Sequence, residues 1–194
     1  MPALKTKQAL IERETALPLR DDGGLRIVIV ADTHSNPHPS SSRWIAAQRP
    51  DAILHAGDIG DLQVLDDLAK LAPLIAIRGN IDTRAADLPD VVTIDLCSDG
   101  QSVLKILLIH IAVYGPKLQA APARLAQTNG ARIVVCGHSH VPFMGRDRGL
   151  VVFNPGSIGP RRFQLPIVFG VIELESNAMT MWHVDCETGE RWQP

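Results

Sequence analysis

A chain of 194 residues, 45% of them hydrophobic, suits one domain that buries a core without staples. Aromatic residues make up only 4%, so that core must be built from Val, Ile, Leu and Ala, a mix suited to strands buried on both faces beneath helices. A net charge of -2 gives no long-range attraction for nucleic acid or acidic membranes and argues against a nucleic-acid binder.

Residues 1–24 stand apart. Lys5, Lys7, Glu12, Arg13 and Glu14 are scattered among Leu and Ile, and the stretch closes on Asp21-Asp22-Gly23-Gly24. It reads as an N-terminal extension, partly helical at best, ending in a turn before a domain at 25–194. Its apolar residues can cover either the parent domain or a neighbouring subunit, which leaves a homo-oligomer open. It lacks the apolar stretch of a signal peptide, and no segment is long and apolar enough to cross a bilayer. Cys97, Cys136 and Cys186 are widely spaced with no CxxC pair, and read as thiols in a reducing compartment. The expectation is a cytoplasmic protein with no membrane partner.

From Leu25 onward one arrangement recurs: an apolar run of strand length ends in a polar residue able to bind metal. Leu25–Ala31 runs into Asp32-Thr33-His34, and Ala52–Leu54 leads through Gly57 to Asp58. Leu74–Ile77 leads through Gly79 to Asn80, Leu104–Ile109 ends at His110, and Ile133–Cys136 leads through Gly137 to His138-Ser139-His140. These branched-aliphatic runs read as buried strands. Helices are expected at 41–49, 61–71 and 117–128, the last closed by Asn129-Gly130. Strand–helix alternation implies an α/β fold, in which ligands gather at the carboxyl ends of strands. Five polar strand ends then converge on one edge. Beyond 140, short runs at 141–146, 150–153, 166–174 and 178–184 without helix between them suggest an antiparallel sheet, and with it a sandwich of two sheets flanked by helices.

Asp32, His34, Asp58, Asn80, His110, His138 and His140 combine hard oxygen donors with imidazoles, which suits manganese, iron(II), cobalt, nickel or zinc. Seven ligands exceed what one ion uses; two ions sharing a carboxylate would use them all. Gly57, Gly79 and Gly137 each precede a ligand, where a side chain would obstruct the turn off the strand.

The motifs Asp32-Thr-His34, Gly57-Asp58, Gly79-Asn80-Ile-Asp82, His110, Gly137-His-Ser-His140 and Asn154-Pro-Gly-Ser157, in this order, resemble the calcineurin-like metallophosphoesterase family and its small phosphodiesterase branch over about residues 25–175. The resemblance implies a four-layer αββα sandwich of two mixed β-sheets flanked by helices. It implies two divalent ions, manganese first among those the donors accept. One would be held by Asp32, His34, Asp58 and His140, and the other by Asp58, Asn80, His110 and His138, with Asp58 bridging. A hydroxide on the metals would attack phosphorus in line, with Asn80 and His110 around it. Two positions depart from the family. Ile81 follows the Gly-Asn pair where many larger members carry a His thought to serve the leaving group. Ile111 stands where a Gly usually follows the metal-binding His.

The remaining histidines, His38, His55 and His183, read as core or packing residues. Asp82 reads equally as a turn residue or as one that orients a ligand from behind. Asn154-Pro-Gly-Ser157 reads as a turn that also shapes the site floor. Of Arg161 and Arg162, Arg161 is assigned to a substrate phosphate, and the tail from Cys186 carries no signal. The expected activity is metal-dependent hydrolysis of a phosphate ester, a phosphodiester by preference, with a small ester or nucleotide as substrate. The alternative is a non-catalytic scaffold like the related retromer subunit, which has lost part of the metal set; here none of the seven residues is replaced. A nuclease lacks support, since neither a basic stripe nor aromatic stacking residues are present.

Overall fold

The computed structural model describes residues 10–175 and 178–193. Two six-stranded sheets carry the chain. One has the order β1 (Glu12–Pro18), β5 (Val91–Ser98), β6 (Gln101–Ile109), β9 (Ile133–Val135), β11 (Leu150–Asn154), β10 (Phe143–Asp147), and the other β14 (Arg191–Trp192), β13 (Ala178–Asp185), β12 (Val168–Glu175), β2 (Leu25–Val30), β3 (Ala52–His55), β4 (Leu74–Ala76). The second sheet begins with β2 (Leu25–Val30), β3 (Ala52–His55) and β4 (Leu74–Ala76), parallel neighbours connected through α1 (Ser41–Ala47) and α2 (Gln63–Ala69). In the first sheet, β6 (Gln101–Ile109) and β9 (Ile133–Val135) are parallel and connected through α3 (Ala120–Thr128). A two-stranded ribbon of β7 (Val113–Tyr114) and β8 (Lys117–Leu118) lies between β6 and α3.

Alternation along the strands explains the layers. Ile27 and Ile29 of β2 join Ile106, Leu108, Ile133 and Val135 in one aliphatic core between the sheets. Val28 and Val30 point the other way, with Ile45 of α1 and Val64 and Leu68 of α2. Leu107 and Val134 face outward from the first sheet onto Ala123 and Ala126 of α3. Strands buried on both faces read as continuous apolar runs, as expected of parallel sheets under helices. The result is the four-layer αββα sandwich.

Three elements differ from expectation. Residues Glu12–Pro18, expected to be helical at best, form β1, an edge strand pairing in parallel with β5 (Val91–Ser98) over its whole length. Its charged residues lie in the solvent, so no apolar alternation marks it, yet Leu17 and Leu19 pack on the central core. The turn at 20–24 is present: Gly23 N–H donates to Arg20 O at 2.8 Å. The late strands do not make a sheet of their own. The hairpin of β10 (Phe143–Asp147) and β11 (Leu150–Asn154) extends the first sheet, and that of β12 (Val168–Glu175) and β13 (Ala178–Asp185) extends the second. The tail adds β14 (Arg191–Trp192) to β13. Cys97, Cys136 and Cys186 are all free thiols. Among the described residues, no helix is long and apolar enough to cross a membrane.

Candidate metal centre

The carboxyl ends of β2, β3 and β4 from one sheet meet those of β6 and β9 from the other, and the loops there are sewn together by backbone hydrogen bonds. Asp32 N–H donates to Gly57 O (2.9 Å), His34 N–H to Asp58 O (3.0 Å) and Gly137 N–H to His110 O (3.0 Å). Asp32 joins the two sheets directly, its Oδ2 accepting from His138 N–H at 2.9 Å. Glycine is required where these backbones close: a Cβ at Gly137 would lie 2.9 Å from Asp32 Oδ2, and one at Gly79 would collide with Asp58. At both positions the reason is proximity rather than a left-handed turn.

Five of the seven expected ligands, Asp32, His34, Asp58, His138 and His140, carry positive φ, between 46° and 70°. That conformation costs free energy for non-glycine residues and persists where the surroundings impose it, commonly at functional sites. Here it turns these five donors off their strand ends toward one place.

Two groups of donors result: Asp32, His34 and His140, and beside them Asp58, His110 and His138, with donor atoms in each group within 4.8 Å of one another. His34 Nε2 lies 3.1 Å from His140 Nε2, and Asp32 Oδ1 lies 3.5 Å from that nitrogen. Asp58 straddles the groups, with Oδ1 3.2 Å from His110 Nε2 and Oδ2 3.9 Å from His34 Nε2. Ligands about 2.1 Å from a shared ion are spaced about 3.0–3.4 Å apart at octahedral to tetrahedral angles, so the separations of 3.1 and 3.2 Å suit the edges of coordination shells, while those of 3.5 and 3.9 Å need a wider angle at the ion. One buried nitrogen aimed into the set, His110 Nε2, has no hydrogen-bond partner, which is costly without an ion nearby. The donor set therefore fits divalent metal. Asn80 is exposed and lines a cavity together with His110, at the rim of the second group.

The electrostatics are those of a cation site. Burial pushes the Asp32 carboxyl up to about 7, reinforced by the Asp58 charge and opposed by His110 and the His138 N–H. Burial also opposes ionisation of Asp58, but the His110 imidazole and the Ile81 N–H outweigh it and hold Asp58 well below the usual carboxylate range. Burial lowers His34 and His138, and brings His140 down to about 4 with help from Arg162 and His34. These three imidazoles are neutral at pH 7, the form that ligates metal. His110 goes the other way: burial lowers it, yet Asp58, the Ala56 carbonyl and Asp32 together raise it. Its Nδ1–H donates to Ala56 O at 2.7 Å, which leaves Nε2 to face Asp58.

Supporting residues surround this set. Asp82 is buried, and its carboxylate accepts from Ile59 N–H (3.0 Å), Gly60 N–H (2.9 Å) and Gly79 N–H (2.7 Å), clamping the loop after Asp58 to the loop before Asn80. His55 is a core residue, as expected, but also a relay. It accepts from Gly57 N–H through Nδ1 (3.2 Å), so Nε2–H donates to Thr33 Oγ1 (3.1 Å), whose hydroxyl donates to Ile59 O (2.9 Å). Asn154 holds the histidine loop through Nδ2, which donates to Gly137 O (2.8 Å) and Ser139 Oγ (3.1 Å). Ser157 Oγ–H donates to Asp32 O at 2.9 Å. The Asn154-Pro-Gly-Ser157 turn is thus a brace beneath both metal-binding loops. His183 packs on Phe153 and donates to Asn154 O (2.8 Å), and His38 accepts from Ser40 N–H (3.3 Å).

The two adjacent arginines part company. Arg161 pairs with Glu187 and donates to Leu165 O at 2.9 Å, away from the donors. Arg162 is the one that reaches the centre, with Nη2 3.1 Å from His34 Nε2. The sequence carried no signal for which of the two adjacent residues would face inward. Exposed apolar side chains stand next to the site residues: Ile81 after Asn80, Ile111 after His110, Val141 after His140 and Phe163 after Arg162.

The model of the calcineurin-like phosphoesterase superfamily domain matches residues 25–177. A probable metallophosphoesterase of Methanothermobacter thermautotrophicus is 31% identical over 136 residues, covering 68% of this chain and 76% of the relative. A predicted phosphoesterase of Streptococcus pneumoniae shares the fold with a TM-score of 0.62 at 22% identity, over 84% of this chain and 91% of that one. So does Vps29 of Chaetomium thermophilum, with a TM-score of 0.70 at 16% identity, over 83% of this chain and 87% of that one.

Proposed function

This chain belongs to the calcineurin-like phosphoesterase superfamily, and from that premise we propose that it hydrolyses phosphate esters, phosphodiesters by preference, at a centre of two divalent ions. The observation that carries the reading is Asp58, whose two carboxylate oxygens face His110 on one side and His34 on the other. Asp32, His34 and His140 would hold one ion and His110, His138 and Asn80 the other, manganese being the first candidate and nickel, cobalt, iron(II) and zinc the others. A metal pair supplies charge neutralisation at phosphorus and a water made acidic enough to attack near neutral pH.

The chain's own residues do the rest. Asp32 and Asp58 supply the anionic donors, and the clamp from Asp82 keeps the Asp58 and Asn80 loops at a fixed separation. Asn80 and His110 bracket the reacting phosphoryl group, with the Asn80 amide available to a non-bridging oxygen. Arg162 shares its Nη2 hydrogen with the His34 lone pair; with His34 engaged as a ligand, the guanidinium would be available to a second phosphoryl oxygen. The attacking oxygen bonds phosphorus as the bond to the leaving group breaks, and the departing oxygen takes a proton from solvent. Ile81 carries no transferable proton, so leaving groups stable as anions are favoured over alkyl alcohols. A reducing, cytoplasmic setting accords with the three free thiols.

The test is hydrolysis of bis-p-nitrophenyl phosphate and of the matching monoester by metal-stripped protein re-supplied with each ion. Turnover should require metal and be faster with the diester. Equal turnover of alkyl monoesters and aryl diesters would overturn the leaving-group argument. The exposed side chains of Ile81, Ile111, Val141 and Phe163, each next in sequence to a site residue, favour a second reading, a binding module whose partner covers the centre. That reading predicts bound metal with no turnover by any ion.

A further inference from the structure

A cavity of about 770 Å³ opens beside the second donor group, with Asn80 and His110 in its wall. The rest of that wall is largely apolar: Leu10, Ile109, Ile111, Ala121, Pro122 and Leu125. Its two charged residues neutralise each other, since Arg78 Nε and Nη2 donate to the two oxygens of Asp90 at 2.6 and 3.0 Å. The Ile11 N–H donates to the same carboxylate at 2.7 Å. Among the described residues, none of this wall beyond Asn80 and His110 is placed to hold a phosphate or a bare charge. A second cavity, of about 580 Å³, differs: Ser35, Asp61, Asp82, Thr83 and Arg84 line it. The two sides of the Asn80–Ile81 loop therefore offer unlike surfaces.

We propose that the cavity beside His110 is the subsite for an uncharged, apolar group of the substrate, of aryl size or larger, carried on the phosphoryl group that the metal centre holds. This rests on the phosphoesterase reading and narrows it, disfavouring esters whose nearest group is a sugar or a further phosphate. Ile111 gives the cavity part of its apolar wall. β1 contributes as well, because its pairing with β5 brings Leu10 to the cavity. The size suffices for a group of ten or more carbons, and burial of such a group from water is favourable in proportion to its apolar area.

Calorimetric titration of the manganese-loaded protein with methyl-, phenyl- and 1-naphthylphosphonate tests this with a constant head group and no turnover. The naphthyl compound should bind about tenfold or more tighter than the methyl one, a gain kept modest by ordering costs. Ala121 is exposed at the start of α3, so Ala121→Trp fills the cavity from the surface. It should bring the gain to about threefold or less while leaving methylphosphonate affinity unchanged. Leu10→Ser, at a residue 55% exposed, should shrink the gain without threatening the fold. A native gain under tenfold, or one that survives both substitutions, overturns the subsite. If the aryl preference holds while no phosphoester is hydrolysed, the subsite stands and the hydrolase reading falls; turnover without the preference does the reverse.

Discussion

The two donor groups are built from the same kinds of residue and sit in unlike surroundings. In the group of Asp32, His34 and His140, the aspartate is fully buried and His140 is 2% exposed. In the group of Asp58, His110 and His138, the last histidine is exposed and a large cavity adjoins His110. A buried, desolvated group binds its ion in competition with protons and exchanges slowly; an open one leaves room for substrate. The comparison assigns holding to the first group and exchange with the medium to the second, with Asp58 tying them into one unit.

Removing that tie should have the largest effect. Asp58→Ala takes an anionic donor from both groups at once, so diester turnover should fall by about a thousandfold or more. Metal content measured on the desalted protein should fall for both ions rather than one; loss of a single ion would mean that Asp58 serves only the His110 group. Asp82→Ala comes next. It strips the acceptor from three backbone N–H groups, two of them in the loop after Asp58, at a cost of about 1–3 kcal/mol for each left unpaired. A lowered melting temperature should accompany metal affinity reduced by about 10–100-fold. Unchanged affinity in a destabilised protein would reduce Asp82 to a turn residue.

Both of those residues stood out in the sequence, and so did most of the centre, because each ligand follows a short aliphatic run and the strands are buried on both faces. Asp32, Asp58 and His110 are at strand ends, where the topology leaves them little choice of direction. What escaped the sequence lay where burial is one-sided or where neighbours decide. β1 is an edge strand whose Glu12, Arg13 and Glu14 face solvent, so its pattern carries no apolar period. In Leu25–Val30 the apolar run is unbroken and could not be missed. The His55–Thr33 relay depends on two strands lying side by side, and the choice of Arg162 over Arg161 depends on where Glu187 falls. Neither fact is local in sequence.

Acidity should distinguish the two groups. Asp32 is pushed up to about 7 in the metal-free fold, whereas Asp58 is held low, so protons compete for the first group from neutral pH downward. With the folded value raised above the ordinary 3.8, the metal-free fold gains from Asp32 protonation at low pH and loses that gain as pH rises through 7. A bound cation removes the penalty, so the rise in melting temperature on adding manganese should be larger at pH 8 than at pH 6. Apparent affinity in the first group should drop by up to about tenfold for each pH unit below 7. An equal stabilisation at both pH values would show that the ion avoids Asp32.

The smallest expected effect separates the adjacent arginines and returns to the open side of the centre. Arg162 reaches His34, so its guanidinium lies within reach of an oxygen on a phosphoryl group held there, while Arg161 is spent on Glu187 and the Leu165 carbonyl. Arg162→Ala should lower kcat/KM for the diester by about tenfold, the size of one charge-assisted hydrogen bond at a partly exposed position. Arg161→Ala should change it by less than about twofold, since an exposed ion pair contributes little. If the two variants behave alike, the guanidinium beside His34 does not touch substrate. The apolar wall near His110 would then select the ester with no help from the cation across the centre.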